Sequence, residues 1–349
     1  MNTLERLSDY RFTASQLARF RRIGEFRGRQ PYVIRQQPEV LDTLRQIATL
    51  ESVEFGNSLE NIMAPRDVIR KLVLQEIRPR TPVERQIAGY HDVLDMVVDP
   101  AEHTNLSVSL VGQLHALLYS YLPHEGGRWK ATNKDIVERD AAGVIKGVLY
   151  RAVPASETAA AMQKTVELYH GALERQVEPL LVVSCAVLDF HCIHPFSDGN
   201  GRIARLLALM MLSLNGYYAG RLISIERILS QDREAYFDAL QRSVKGWHEG
   251  THDPMPWVNF FLDALIKAYE ELEVRVEALQ GQSSRAPKSQ LITVAIKERN
   301  EPFSVADICL QIPTVSRELV KKVIQGLREQ GSLRPVGKGR GAQWKKVSK

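Results

Sequence analysis

Residues 194–205 read His-Pro-Phe-Ser-Asp-Gly-Asn-Gly-Arg-Ile-Ala-Arg and separate two apolar segments. Residues 178–193 are apolar on almost every face, which is typical of a buried helix. Residues 206–212 are apolar again, and the Asn-Gly pair at 215–216 is a common end of a helix. The pattern predicts two buried helices joined by a polar loop that opens into the second helix.

A glycine-rich turn and two arginines give this loop the character of an anion site. Gly199, Asn200 and Gly201 let the backbone approach a ligand closely, and the first N–H groups of a helix lack partners within it. Arg202 and Arg205 are three residues apart and share one face of the helix, where guanidinium groups can bind phosphate oxygens. The loop therefore predicts a site for a phosphate-bearing ligand.

Two further side chains add chemistry to this predicted phosphate site. Asp198 is a hard oxygen ligand of the kind that holds Mg²⁺ against phosphates, and His194 can act as a base near pH 7. Together they suggest phosphoryl or nucleotidyl transfer. As an alternative, His191, His194 and Asp198 could bind a metal ion, although such a site has no use for the Gly-Asn-Gly-Arg run.

Residues 194–205 match the Fic motif, H-P-F-x-[D/E]-G-N-G-R-x-x-R, at every defined position. The chain therefore resembles the Fic proteins, whose core would correspond to residues 100–280. The resemblance implies that AMP is transferred from ATP to a Ser, Thr or Tyr hydroxyl of a target protein, with His194 as the base and Asp198 as the Mg²⁺ ligand. By the same correspondence the nucleotide-binding residues are Gly199, Asn200, Gly201, Arg202, Arg205 and, more weakly, Tyr236, for which a core position is the alternative.

Other functions remain open within this resemblance. Some Fic relatives use a different nucleotide donor. A DNA-binding regulator whose Fic domain senses a nucleotide is an alternative of another class. Fic proteins often form homodimers, so a second copy of the chain is an expected partner beside ATP and the target protein.

Residues 36–64 carry apolar side chains at helical spacing and include Phe-Gly-Asn-Ser-Leu-Glu-Asn at 55–61. This segment resembles an inhibitory motif of many Fic proteins, [S/T]-x-x-x-E-[G/N]. Glu60 and Asn61 occupy its last two positions, and Gly56 stands where Ser or Thr is expected. The resemblance implies that Glu60 pairs with Arg205 and blocks the site of the γ-phosphate, whereas the alternative is an ordinary acidic residue at a helix end.

Residues 128–151 are rich in β-branched and aromatic side chains around a polar turn, and they predict a β-hairpin. In Fic proteins a hairpin at this place is a flap that holds the target segment by main-chain pairing, which an exposed strand edge allows. Ile136, Val137 and Val148 are the candidate flap residues. A hairpin without this role is the alternative.

Residues 281–287 have the composition of a linker, and residues 288–349 predict three short helices and two strands around a basic glycine-rich turn. This arrangement resembles a winged helix-turn-helix. Residues 286–349 contain 13 Lys or Arg and 5 Asp or Glu, which favours DNA as a partner, with docking to a protein as the alternative. The candidate DNA-binding residues are Arg317, Lys321, Lys322, Lys338 and Arg340.

The 349 residues are 44% hydrophobic and 25% charged, as in ordinary globular proteins. They contain no run of about 18 apolar residues and no signal peptide, and three cysteines without a Cys-x-x-Cys pair favour a reducing compartment. We expect a cytoplasmic, mainly α-helical protein: an N-terminal helical region (1–100) with a break at Pro31, a Fic core (101–280) with a β-hairpin flap, and a small C-terminal winged-helix domain (288–349).

Overall fold

Helices make up most of the residues that the computed structural model describes, which are 2–34, 38–101, 104–139, 145–280, 286–299, 301–312, 315–336 and 343–347. Within them the α-helices are α1 (Ala14–Ile34), α2 (Pro38–Ser58), α3 (Arg66–Val73), α4 (Pro82–Val98), α5 (Val108–Leu118), α6 (Thr158–Glu174), α7 (Pro179–Ile193), α8 (Asn200–Leu214), α9 (Ile225–Gln231), α10 (Arg233–Val244), α11 (Met255–Gln280), α12 (Ala286–Glu298), α13 (Val305–Gln311) and α14 (Arg317–Glu329). The strands are β1 (Asp135–Arg139), β2 (Ile145–Arg151), β3 (Leu333–Val336) and β4 (Gln343–Lys346), which form two separate antiparallel hairpins. The predicted mainly helical class is confirmed. No helix in the described ranges is both long and apolar enough to span a membrane.

The predicted pair of buried helices lies at the centre of the fold. All residues of α7 are buried except Pro179 and His191, and all residues of α8 are buried except Gly201 and Leu214. Helix α7 packs against α6, α8, α10 and α11, while α8 also packs against α4 and α5. Because both helices are enclosed, the loop between them is held firmly at each end.

The predicted break at Pro31 is wrong, because α1 continues through this residue. Proline cannot donate a backbone hydrogen bond, but Pro31 lies in the last turn, so few bonds follow it. The helix is held by packing along α11, where Phe26 stacks on Tyr269 with ring centroids 5.3 Å apart. Tertiary packing here outweighs the local preference.

Helix α2, which leads to Glu60, is anchored by an ion pair and by an apolar contact. Glu51 is 2% exposed and pairs with Arg227 of α9 at 3.1 Å. One turn earlier, Ile47 lines a small cavity together with Leu291 of α12. The helix therefore lies between the core and the C-terminal elements.

The C-terminal region contains three helices followed by a hairpin, in the predicted order. Phe303, Val320, Ile324 and Leu333 are buried in its small core. Helix α12 begins at Ala286, inside the predicted linker, and residues 281–285 lie outside the described ranges. The turn that carries Lys338 and Arg340 also lies outside them, and the winged-helix assignment stays a prediction.

Candidate active site

Two residues in the left-handed backbone region shape the loop over 194–199. His194 (φ 50°, ψ 62°) follows α7, and its N–H donates to the carbonyl of Phe190 at 2.9 Å. Gly199 (φ 74°) precedes α8, and a Cβ atom there would lie 3.0 Å from Cε2 of Tyr119. Glycine is therefore favoured at 199 both by its conformation and by the space available.

The side chain of Asn200 closes the loop. Its Oδ1 accepts a hydrogen bond from the N–H of Phe196 at 2.9 Å, and its Nδ2 donates to the carbonyl of Phe196 at 2.8 Å. Phe196 is fully buried and stacks on His115, with ring centroids 3.7 Å apart. The predicted phosphate contact of Asn200 is thereby restricted to its backbone N–H.

Asp198 belongs to a hydrogen-bonded cluster with Tyr119 and Arg202. The Tyr119 hydroxyl donates to Oδ2 of Asp198 at 2.8 Å and accepts from Nη2 of Arg202 at 3.2 Å. Burial raises the pKa of Asp198, but the hydrogen bonds from Tyr119 and from the N–H of Gly199 outweigh it, so the pKa lies below its usual value. The side chain is 77% exposed, so an ionised carboxylate is open to a cation.

This carboxylate fits Mg²⁺ only as part of a larger ligand set. The described part of the chain contains no group of three or more His, Cys, Asp or Glu side chains that could hold a metal ion. Mg²⁺ commonly binds one or two carboxylates together with substrate phosphates and water. Asp198 therefore suits a cation that arrives with a nucleotide, and the alternative metal site with His191 and His194 gains no support.

Arg202 is a buried cation with unused hydrogen-bond donors. It is 1% exposed, and its Nε and Nη1 have no hydrogen-bond partner among the described residues. Leaving a buried charged donor unpaired costs stability. Its position in the first turn of α8, where the helix dipole also favours negative charge, points to an anionic ligand.

Arg205 lies against Glu60. Its Nη1 donates to Oε1 of Glu60 at 3.0 Å, and its Nη2 donates to the carbonyl of Gly56 at 2.8 Å. A Cβ atom on Gly201 would lie 2.2 Å from Oε1 of Glu60. The Glu60 carboxylate therefore covers the first turn of α8, in the space that glycine leaves open.

The departure at Gly56 from the family motif has a structural reason. A Cβ atom at this position would lie 2.3 Å from the hydroxyl oxygen of the fully buried Tyr90. That hydroxyl donates to Oε1 of Glu226 at 3.1 Å, and Ser52 of α2 donates to the other oxygen at 2.7 Å. A serine or threonine at 56 would displace Tyr90 from this network.

Replacing Gly56 with serine should lower the free energy of unfolding by about 1–3 kcal/mol, because the added atoms overpack a filled core. Gly24→Ser in α1 is the matched control, since a Cβ atom there meets nothing within 4 Å. Urea denaturation measures both variants. Equal stability of the two would contradict the assigned role of Tyr90.

A cavity of about 330 Å³ lies beside the loop. It is lined by Glu60, Ile136, Tyr150, His191, His194, Gly201, Arg205, Tyr236, Phe237, Leu240, Gln241 and Val244. Burial lowers the pKa of His194 to about 4, and the positive charges of Lys130 and Lys134 act in the same direction. The imidazole is therefore neutral at pH 7 and can accept a proton. Asp198 and Arg202 belong to the separate cluster around Tyr119.

Helix α10 supplies the apolar wall of this cavity. Tyr236 is 1% exposed, contacts Arg205 and lines the cavity, so its core position and its place beside a ligand are compatible. Sequence reasoning missed Phe237, Leu240 and Gln241 on the same helix. The sequence feature that could have identified them is their helical spacing, which places them on one side of α10 with Tyr236. That spacing does not show what this side of the helix contacts.

The hairpin of β1 and β2 borders the cavity through one of its strand pairs. Ile136 lies opposite Tyr150, and both line the cavity. Val137 lies opposite Val148, which is 49% exposed, whereas the side chain of Val137 is outside the described part of the structure. Ile136 is thus placed at the site, and Val148 is placed at the surface of the hairpin.

The remaining candidate residues lie on α14. Arg317, Lys321 and Lys322 are exposed, and their spacing places them on neighbouring faces of this helix. The structure thus presents three cations to solvent in the C-terminal region.

Comparisons with known proteins agree with this geometry. Residues 105–212 match the model of the Fic/DOC family. A Fic family protein from Desulfovibrio desulfuricans G20 is 19% identical, with 97% of this chain and 98% of that chain covered and a TM-score of 0.63. A Fic domain containing signaling protein from Bacteroides thetaiotaomicron VPI-5482 is 20% identical, with 75% and 98% covered and a TM-score of 0.61. At these identities the likeness concerns the fold.

Proposed function

We propose that this chain, whose residues 105–212 match the model of the Fic/DOC family, transfers AMP from ATP to a hydroxyl group of a target protein. Members of this family commonly transfer a nucleoside monophosphate to proteins. The observation that carries the proposal is the buried guanidinium of Arg202, whose Nε and Nη1 are unpaired in the first turn of α8. The phosphates of a nucleotide supply the partners that this group lacks.

In the proposed reaction, the hydroxyl oxygen of the target attacks the α-phosphorus of ATP. The neutral imidazole of His194 takes the hydroxyl proton while the new P–O bond forms. The bond from the α-phosphorus to the oxygen that bridges to the β-phosphate breaks, and pyrophosphate leaves. Arg202, Arg205 and the N–H groups at the start of α8 stabilise the charge on the departing group, and Asp198 would hold Mg²⁺, which would supply further positive charge.

The cavity also has room for the other parts of the substrates. Its apolar wall on α10 suits the adenine ring, with Gln241 as a polar partner for the edge of the base. Within the described residues β1 pairs only with β2, so each strand keeps one edge for a further strand. The target segment can pair with such an edge near Ile136, which lines the cavity.

The contact between Glu60 and Arg205 supports an inhibited resting state. Arg205 is the cation that the γ-phosphate of ATP would use, and the Glu60 carboxylate occupies it at 3.0 Å. ATP could still bind, but with its phosphates displaced from the line of attack. Even a small displacement of the reacting atoms reduces the rate by orders of magnitude.

Labelled nucleotides test the proposed activity directly. The wild-type chain and the Glu60→Gly variant are incubated with ATP labelled at the α-phosphate or at the γ-phosphate, and with α-labelled CTP, GTP and UTP. AMP transfer labels protein only from the α-labelled ATP. Label from the γ-phosphate would indicate phosphoryl transfer, and label from another nucleotide would indicate a different donor.

A second candidate function, DNA binding by the C-terminal region, is favoured by the exposed cations of α14, among them Arg317, Lys321 and Lys322. If they contact phosphates, the affinity of the full chain for duplex DNA should fall by roughly one log unit per log unit of salt for each contact. The double variant Lys321→Ala/Lys322→Ala should reduce that slope by about two. Lys71→Ala, in α3, is the control. No binding at low salt would favour protein docking instead.

A further inference from the structure

Lys130 is a buried cation that the proposed reaction does not use. It is 3% exposed, and its Nζ donates to the carbonyls of Ile193 at 2.7 Å and His194 at 2.9 Å. Its backbone N–H donates to the carbonyl of Pro195 at 2.8 Å. The carbonyl groups of three consecutive residues, 193–195, therefore all accept hydrogen bonds from Lys130.

The segment that contains Lys130 holds the loop at other points too. Trp129 packs on Phe196 with ring centroids 4.9 Å apart, and the ammonium group of Lys134 donates to the carbonyl of Ser197. This segment leads directly into β1. The segment before the hairpin and the loop at residues 194–199 thus pack against each other and share hydrogen bonds.

We propose that Lys130 is a positioning residue for His194: its ammonium group holds the left-handed turn that ends α7, and its charge disfavours protonation of the imidazole. A left-handed backbone is costly for a residue with a side chain, so it needs such support. The last carbonyl groups of a helix carry partial negative charge and favour a cation. This inference rests on the proposed function only in taking His194 as the base.

The charged groups around His194 single out Lys130. Lys130 and Lys134 both lower the pKa of His194, Glu60 raises it, and the carbonyl of His191 accepts a hydrogen bond from the imidazole. Lys134 is exposed, so water screens its charge, whereas Lys130 is buried against the turn itself. Burial lowers the pKa of Lys130 to about 8, so the group remains charged at pH 7.

An NMR titration of His194 in the full-length chain tests this proposal without reference to activity. The imidazole signal is identified by its loss in His194→Ala. In Lys130→Met the pKa of His194 should rise by roughly half a unit to one unit, because a nearby positive charge is removed. Lys71→Met removes a half-exposed charge from α3, where Lys71 pairs with Asp67, and should leave the titration unchanged. An unshifted pKa in Lys130→Met would overturn the proposal.

Kinetics supply the second readout. In a Glu60→Gly background, Lys130→Met should lower kcat for AMP transfer by roughly tenfold or more, with KM for ATP within about twofold, because orientation of the base is lost while the phosphate contacts remain. Lys130→Arg, which keeps the charge, should regain part of the rate. If Lys130→Met does not fold, the NMR titration of His194 is made on Lys130→Gln, with the same expected rise in its pKa. If no variant transfers AMP, the proposed function fails, while the titration still decides the role of Lys130.

Discussion

The Glu60→Gly variant should transfer AMP to itself on the order of 100-fold faster than the wild-type chain, because a small correction in the position of the reacting atoms changes a rate by orders of magnitude. Glu60 pairs with Arg205 at 3.0 Å and covers the first turn of α8. Removing the carboxylate frees the guanidinium for the γ-phosphate and clears the space above Gly201. Incorporation of label from α-labelled ATP measures the effect.

Two further variants separate this effect from a general loosening of α2. Arg205→Ala should abolish the gain when it is combined with Glu60→Gly, because the freed cation is then absent. Glu54→Gln is the matched control on α2: Glu54 pairs with Arg66 at 3.0 Å and not with α8. Equal labelling by Glu60→Gly and the wild type would show that Glu60 is not inhibitory. A gain in Glu54→Gln as large as in Glu60→Gly would assign the effect to the helix instead.

His194→Ala should lose AMP transfer by about 10²–10⁴-fold, the usual contribution of a general base. The loss should appear in the Glu60→Gly background, where the basal rate is high enough to measure. Affinity for ATP, measured by calorimetry, should change by less than about threefold, because the imidazole acts on the incoming hydroxyl and not on the phosphates.

His191→Gln distinguishes this role from a metal site. His191 lines the same cavity, and burial lowers its pKa to about 3, so it is also neutral at pH 7. If His194 is the base, the His191 variant should lose much less activity than His194→Ala. Equal losses, reversed by added zinc, would favour a metal-binding pair.

The sequence predicted the parts of this site that lie close together in the chain. The apolar segments on each side of residues 194–205 define α7 and α8, because a helix enclosed on all faces requires apolar residues on all faces. The pairing of Glu60 with Arg205, which are 145 positions apart, was expected only because residues 55–61 resemble the inhibitory motif of Fic proteins. The hairpin was visible because β-branched and aromatic residues lie on both sides of a polar turn.

Other parts could not be predicted because they depend on contacts between distant segments. Tyr119 holds Asp198, and Lys130 holds His194, across more than sixty positions of sequence. A single tyrosine or lysine carries no periodic signal that would identify it. The sequence indicated that the backbone of residues 199–201 approaches a ligand, but it could not show that the side chain of Asn200 closes the loop, because a motif shows which residue is present and not which contacts its atoms make.

The position of α2 between the core and the C-terminal helices has a thermodynamic consequence. Ile47 faces the C-terminal helix α12, while the other end of α2 leads to the carboxylate on Arg205. A ligand of the C-terminal helices that binds with unequal affinity to two placements of α2 changes the affinity for ATP when ATP also distinguishes those placements, and ATP then changes the affinity for that ligand by the same factor. Measuring either affinity with and without the other ligand would therefore yield the coupling free energy between the two ends of the molecule.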